Sequence, residues 1–356
     1  MPRIPLCVPW LTGDDAAAVA NALQDGHCSS NGPLVTKFEE EFAKAVGAKH
    51  AVACASGTAA IHLALMAIGV GPGDIVLCSD FTFIASANPA RYCGATVEFI
   101  DSELSTWNMD PDLLEKAVAG RKIKAVILVH ILGMRAQTEA IMAICDKHGI
   151  PVIEDAAEAL GVDVGTSGVI GCFSFNGNKM ITTGGGGMCV TADEKLASKM
   201  RHLSTQAKLQ QPGYVHDAIG YNYRMTNMAA ALGLSQLGRL SDITYHKWRI
   251  AIRYHSWSNA HGIDYAGKHF AGMCYWLTSL LFPGKRDAVL KSLTDADIES
   301  RPLWLPVSQQ SCYRGSRRWG GEVSDRLSRD GLSLPSSATL TPEDQNRVIA
   351  AIERAL

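Results

Sequence analysis

From residue 35 to about 240 the chain alternates short apolar runs with stretches whose apolar positions recur every three or four residues. Runs at 51–55, 75–78, 96–100, 125–129, 152–154, 172–175 and 188–191 predict strands, and the periodic stretches 58–68, 112–119 and 137–148 predict helices between them. Strands that alternate with helices imply an α/β fold with a large, mainly parallel seven-stranded sheet covered by helices. Ligands of such sheets bind beyond the carboxyl ends of the strands, which is where the polar residues of this chain collect. The texture changes after Leu240. Residues 275–282 predict a strand, 287–296 a helix, 301–304 an extended segment and 342–356 a closing amphipathic helix. The expected division is therefore a large domain over 1–240, with an N-terminal arm over 1–34, and a smaller α+β domain over 241–356.

Composition narrows the class. Apolar residues make up 47% and charged residues 19% of 356, which is the balance of a globular enzyme with an ample core. A formal net charge of −2 and the lack of a basic run argue against a nucleic-acid surface. No apolar stretch is long enough to span a bilayer, and residues 1–10 lack the features of a signal peptide. Ten cysteines occur without any CxxC pair, several inside apolar strands, so they are expected as reduced small hydrophobes in a cytoplasmic protein, without a structural metal.

The chemistry centres on Ser174-Phe175-Asn176-Gly177-Asn178-Lys179-Met180-Ile181-Thr182-Thr183, followed by four glycines, Gly184 to Gly187. A lysine before such a run can be approached closely by a flat ligand. Upstream, Pro151-Val152-Ile153-Glu154-Asp155 is an apolar strand ending in carboxylates. Strand alternation sends Glu154 and Asp155 to opposite faces, and Asp155 is favoured because Ala156 and Ala157 leave room beside it. A lysine and an acid so placed suit pyridoxal 5'-phosphate: the amine forms a Schiff base and the carboxylate keeps the pyridine nitrogen protonated. Ser56-Gly57-Thr58 opens a helix after a strand, either as an ordinary cap by Ser56 or Thr58 or as a phosphate site using the free amides of the first turn. Ser174 could add a hydroxyl. Phe83 could stack on a ring or pack in the core, and Phe81 shares its parity, so the pattern does not choose between them.

The segments SFNGNKMITTGGGGM, EDAAEALG, ASGTAAIHLAL and DFTFIASANPA, with GYNYRMTN and ESRPLW further on, closely resemble the DegT/DnrJ family of sugar aminotransferases, and the resemblance runs from about Ile4 to the C-terminus. It implies a fold type I (aspartate-aminotransferase-like) pyridoxal-phosphate enzyme. Lys179 then corresponds to the Schiff-base lysine, and Asp155 to the partner of the pyridine nitrogen. Gly57, Thr58 and Ser174 correspond to phosphate ligands and Phe83 to the stacking ring. Glu158 matches a polar position near the ring hydroxyl and the sugar. Asn222 resembles a residue that reaches the phosphate from the second subunit, which implies a homodimer with shared active sites. Ser29, Ser30 and Asn31 match a loop lining the sugar pocket. The resemblance further implies L-glutamate as donor and a nucleotide-linked keto-sugar as acceptor. Lysine rather than histidine at 179 favours transamination over dehydration. The NGNK variant, with Thr205-Gln206-Ala207-Lys208 and His216, looks most like members that aminate C4 of UDP-linked 4-keto-6-deoxy-N-acetylhexosamines for bacterial glycans. Alternatives are a sugar 3-aminotransferase, another pyridoxal-phosphate reaction, and a non-catalytic regulator, for which the chain has no spare DNA-binding segment. Relatives usually follow RPLW with lysine, proline, methionine and histidine, whereas this chain continues Leu305-Pro306-Val307-Ser308. A compensating diphosphate contact from Arg314, Arg317 or Arg318 is one expectation, and a solvated arginine loop is the other.

Overall fold

The computed structural model describes residues 2–267 and 273–356. Seven strands arise where the apolar runs predict them: His50–Cys54 (β1), Ile75–Ser79 (β2), Thr96–Ile100 (β3), Ala125–Val129 (β4), Val152–Asp155 (β5), Ile170–Ser174 (β6) and Gly187–Thr191 (β7). The later strands are Ser279–Leu281 (β8), Arg301–Pro302 (β9), Arg318–Trp319 (β10) and Gly331–Ser333 (β11). The main sheet has the order β1-β7-β6-β5-β4-β2-β3-β10. Pairs from β6 to β10 are parallel, while β7 is antiparallel to both β1 and β6. The sheet thus has eight strands rather than seven, because Arg318–Trp319 from the C-terminal region pairs with Phe99–Ile100. A two-residue strand leaves no periodicity to detect.

β4 is buried along its whole length, as the centre of a sheet covered on both faces requires. One apolar cluster lies under the helix Gly57–Ala67 and includes Phe38, Phe42, Phe173 and Phe175, while a second lies on the opposite face with Leu77, Leu128, Ile141 and Cys145. A third joins Ile4, Ile250, Tyr254, Leu280, Val289, Leu332 and Val348 around the sheet β8-β11-β9. The expected strand over 275–282 shrinks to Ser279–Leu281. Tyr275 takes φ 51°, a left-handed conformation that breaks extended pairing there and turns Trp276 away from a sheet position.

The N-terminal segment is tied down twice. Ile4 exchanges backbone hydrogen bonds with Asp297 and Glu299. Further on, the helix Gly13–Gln24 packs on the helix Asn227–Leu237. Asp15 joins them: its carboxylate accepts from the Thr12 amide at 2.9 Å, the Ser235 hydroxyl at 2.6 Å, the Gln236 amide at 2.9 Å and the Arg239 guanidinium. Burial pushes this carboxyl up, but those donors outweigh it and hold it below its ordinary value of 3.8. Asp15→Ala should lower stability in urea unfolding by about 2–3 kcal/mol, since it strands several buried donors. The sign in pH follows from the depressed value. The contribution is complete above about pH 4 and is lost as pH falls through the folded-state pKa, so the difference between wild type and Asp15→Ala should narrow in acid.

Candidate active site

A cavity of about 330 Å³ opens at the carboxyl edge of the main sheet. On the sheet side it is lined by Ser56, Gly57, Thr58, Phe83, Asp155, Glu158, Ser174 and Lys179, and Trp276, Arg301, Trp304 and Ser333 form the facing wall. The glycine run reaches this edge because β7 runs backwards: its first residue, Gly187, lies beside the last residues of β1 and β6. Two of the four glycines, Gly186 and Gly187, are required by close packing within the protein. A Cβ on Gly187 would lie 2.4 Å from the Ser56 carbonyl oxygen, and one on Gly186 would lie 2.8 Å from the Met225 methyl carbon. Gly184 takes φ 79°.

Ser56 is the cap of the helix Gly57–Ala67, its Oγ accepting from the Ala59 amide at 3.1 Å. The capping reading and the anion-site reading therefore coexist, since the helix N-terminus opens on the cavity with Gly57 and Thr58 exposed to it. A Cβ at position 57 would meet Ser174 Cβ at 2.8 Å, so only glycine lets the first turn lie against the end of β6.

Asp155 closes β5 and is buried. Its Oδ2 accepts from the Ser86 hydroxyl at 2.6 Å and its Oδ1 from the Ala157 amide at 3.1 Å. Glu154 goes to the other face, as alternation requires, and bonds His130 Nε2 at 2.9 Å and the amides of Gly165, Ser167 and Gly168. Burial pushes the Glu154 carboxyl up, yet His130 and these amides hold it below its ordinary value, as befits a structural anion. Phe81 and Phe83 also separate: Phe81 is 1% exposed and packs edge-on against Trp304, while Phe83 is 53% exposed on the cavity.

The Lys179 amine lies 3.5 Å from Glu158 Oε1 and 3.8 Å from the centre of the Trp276 ring. An ion pair and a cation–π contact hold it together. Glu158 is anchored by the Leu132 amide at 2.8 Å, and burial raises its carboxyl above the ordinary value against the opposing pull of Lys179. The Trp276 indole donates to the Asn178 carbonyl at 2.6 Å, fixing the peptide before Lys179. Lys247, itself buried, bonds the Trp276 and Ser336 carbonyls at 3.0 and 2.7 Å.

The profile of the DegT/DnrJ/EryC1/StrS aminotransferase family matches residues 10–353. The chain belongs to this family. It is 40% identical to a putative pyridoxal phosphate-dependent aminotransferase, EpsN, of Bacillus subtilis, over 98% of this chain and 95% of that one. It is 38% identical to the GDP-perosamine synthase of Caulobacter vibrioides, over 100% and 99% of the two chains. The crystal structure of a family aminotransferase from Brucella abortus superposes with a TM-score of 0.90 at 31% identity, covering 96% of this chain and 95% of that one. The protein is a fold type I, pyridoxal-phosphate-dependent aminotransferase that acts on a nucleotide-linked sugar.

The cavity of this aminotransferase fits its cofactor. A helix N-terminus beside the Ser174 hydroxyl offers donors to a phosphate, Phe83 presents a free ring, and Asp155 is a buried carboxylate within reach of the same space. Asn222, Ser29, Ser30 and Asn31 do not line the cavity. Asn222 is exposed, and its two chain neighbours, Tyr221 and Tyr223, stack on each other. The loop with Ser29 and Ser30 is tied to the same segment, Arg224 donating to the Ser30 carbonyl at 2.6 Å and the Asn227 amide to the Ser29 carbonyl at 2.7 Å.

Within the arginine cluster Arg314 and Arg317 are exposed, as a solvated loop would have them, whereas Arg318 differs from both expectations. Arg318 is neither a solvated loop residue nor free for a diphosphate: it pairs with the buried Asp80 and with Asp325. The departing segment joins the same anchor, Ser308 donating its amide to Asp80 at 2.8 Å and its hydroxyl at 2.9 Å. Sequence reasoning also passed over Trp276, Ser86 and Arg301 as site residues. Nothing in their local spacing marks them, because each enters the cavity from a loop or strand remote from the Lys179 motif.

Among the described residues, no helix is long and apolar enough to cross a membrane, and no group of three His, Cys, Asp or Glu side chains could hold a metal ion. The two phenylalanines should respond oppositely to truncation. Phe81→Ala should cost about 3–5 kcal/mol in urea unfolding. Phe83→Ala should leave stability within about 1 kcal/mol but weaken pyridoxal phosphate binding about 5-fold in an absorbance titration, in line with the worth of an aromatic stack.

Proposed function

We propose that the enzyme moves the amino group of L-glutamate to C4 of a nucleotide-linked 4-keto-6-deoxy sugar, with UDP-4-keto-6-deoxy-N-acetylglucosamine as acceptor. It works as a cytoplasmic homodimer whose sites are completed across the interface. The observation behind this reading is the Lys179 amine, set between Glu158 and Trp276 at the wall of the cavity.

When bound, pyridoxal phosphate supplies the carbonyl that takes up and hands on the amino group, and the ring that accepts electrons during the exchange. Gly57, Thr58 and Ser174 would hold the phosphate, and Phe83 would stack on the ring. Asp155, kept in place by Ser86 and the Ala157 amide, retains a proton on the pyridine nitrogen. Lys179 Nζ, once free, removes a proton from the donor α-carbon and later delivers one to the acceptor carbon. Glu158 Oε1, 3.5 Å from the amine, keeps that amine beside the cavity. The side chains of Asn222 and of Ser29, Ser30 and Asn31, exposed or partly exposed in a single chain, meet the phosphate and the sugar of the partner's site.

The protein loaded with pyridoxal phosphate should lose its visible absorbance band on adding L-glutamate and regain it on adding the 4-keto sugar. Return only with a 3-keto isomer would replace the C4 assignment. Return only with a GDP-linked 4-keto sugar, the nucleotide in the name of the Caulobacter relative, would replace the UDP assignment. Lys179→Ala should retain the cofactor through the phosphate and ring contacts but lose turnover by more than about 10³-fold in a coupled 2-oxoglutarate assay.

A further inference from the structure

One buried amine has no part in the mechanism proposed above. Lys247, on the helix Leu240–Ala260, is 3% exposed and meets no carboxylate among the described residues. Burying a lysine amine is costly unless its donors are used. Here its Nζ lies 2.7 Å from the Ser336 carbonyl, 3.0 Å from the Trp276 carbonyl and 3.5 Å from Cys7 Sγ. These partners belong to three distant segments: the stretch after β11, the facing wall of the cavity and the N-terminal arm.

Two of those partners meet again at a single atom. The Trp276 indole donates to the Asn178 carbonyl at 2.6 Å, and the Cys7 thiol reaches the same oxygen at 3.4 Å. The circuit Lys247–Trp276–Asn178–Cys7 is therefore closed, and its far corner is the peptide that carries Lys179. The Trp276 ring also touches the Lys179 amine, which lies 3.8 Å from the ring centre. Ser336 ties the circuit to the rest of the fold, its amide donating to the Leu6 carbonyl at 2.7 Å and its hydroxyl accepting from the Thr278 amide at 2.9 Å. A lysine that served packing alone would have no reason to close a ring on the peptide next to Lys179.

We propose that Lys247 is a positioning residue for Lys179: by fixing Trp276 and Cys7 against the Asn178 carbonyl, it sets where the Lys179 amine meets the cofactor's aldehyde and the carbon that exchanges a proton. This assignment rests on the role given to Lys179 above and deepens it. Misplacing a reacting group by about 1 Å slows a step by about 100-fold, so a buried amine that touches no ligand can control the rate. Gly57, Thr58, Ser174 and Phe83 lie outside the circuit. Pyridoxal phosphate must be captured by Lys179, whereas pyridoxamine phosphate has no aldehyde and binds by phosphate and ring alone. Comparing the two forms separates the role of Lys247 from general damage to the site.

The cofactor-free wild type and its Lys247→Met, Lys247→Gln and Lys247→Arg variants would be mixed with each form, following the absorbance band for pyridoxal phosphate and protein fluorescence for pyridoxamine phosphate. Lys247→Met should capture pyridoxal phosphate at least about 10-fold more slowly, yet bind pyridoxamine phosphate within about 3-fold of wild type. Once loaded, it should lose kcat with L-glutamate by about 10-fold or more, with KM changed less than about 3-fold. Lys247→Arg, which keeps the cation and its donors, should recover part of both losses. Lys247→Gln, which keeps a donor for one carbonyl, carries the same comparison if the methionine variant does not fold. Capture at the wild-type rate, or equal loss of capture and of pyridoxamine phosphate binding, would overturn the assignment and leave the aminotransferase reading intact. A wild type that shows no band with pyridoxal phosphate would remove both.

Discussion

The reversed strand β7 is the constraint on which the site depends. It is antiparallel to both neighbours, so its N-terminal end, with the glycine run before it, arrives at the edge where the other strands end. There Gly187 must pass within a short distance of the Ser56 backbone, and Gly57 must lie against Ser174. These approaches bring the first turn of the helix Gly57–Ala67, the end of β6 and the Lys179 turn into one layer. A side chain at either glycine would push these three parts of the cavity wall apart.

The facing wall comes from far along the chain, and it does more than close the cavity. Trp276 bonds the peptide before Lys179 with its indole N–H and supports the amine with its ring. Glu158 holds the other side of that amine. The lysine side chain is long and would otherwise sample many rotamers, with an entropy cost each time it returned to the reacting position. Contacts from two directions reduce that cost. They also place a cation in a buried space that contains two carboxylates, Asp155 and Glu158.

Much of the framework was legible before any coordinates. Seven apolar runs became seven strands with ends shifted by two residues or fewer, because strands buried on both faces need continuous apolar sequence. The alternation rule separated Asp155 from Glu154 correctly in direction, since parity along a strand is set by the backbone. Parity failed for Phe81 and Phe83 because both precede a short turn, where the chain leaves the extended geometry that the rule assumes. The strand expected over 275–282 failed for a related reason: an aromatic-rich segment looks extended, but the left-handed Tyr275 redirects it. Arg318 was misjudged because its partner Asp80 lies 238 positions away, and no local pattern reports such a pair.

The sequence by itself determined the fold class and, through its motifs, the family and its pyridoxal-phosphate chemistry. Those properties reside in local spacing: glycine where the backbone must turn, alternating polarity along strands, a lysine in a short polar turn. Only the tertiary structure decided which aromatic ring faces the cavity, what holds the lysine amine and which arginine is already paired. Each of those is settled by contact between segments separated by tens to hundreds of residues, where the geometry of packing, and no periodicity, selects the partner.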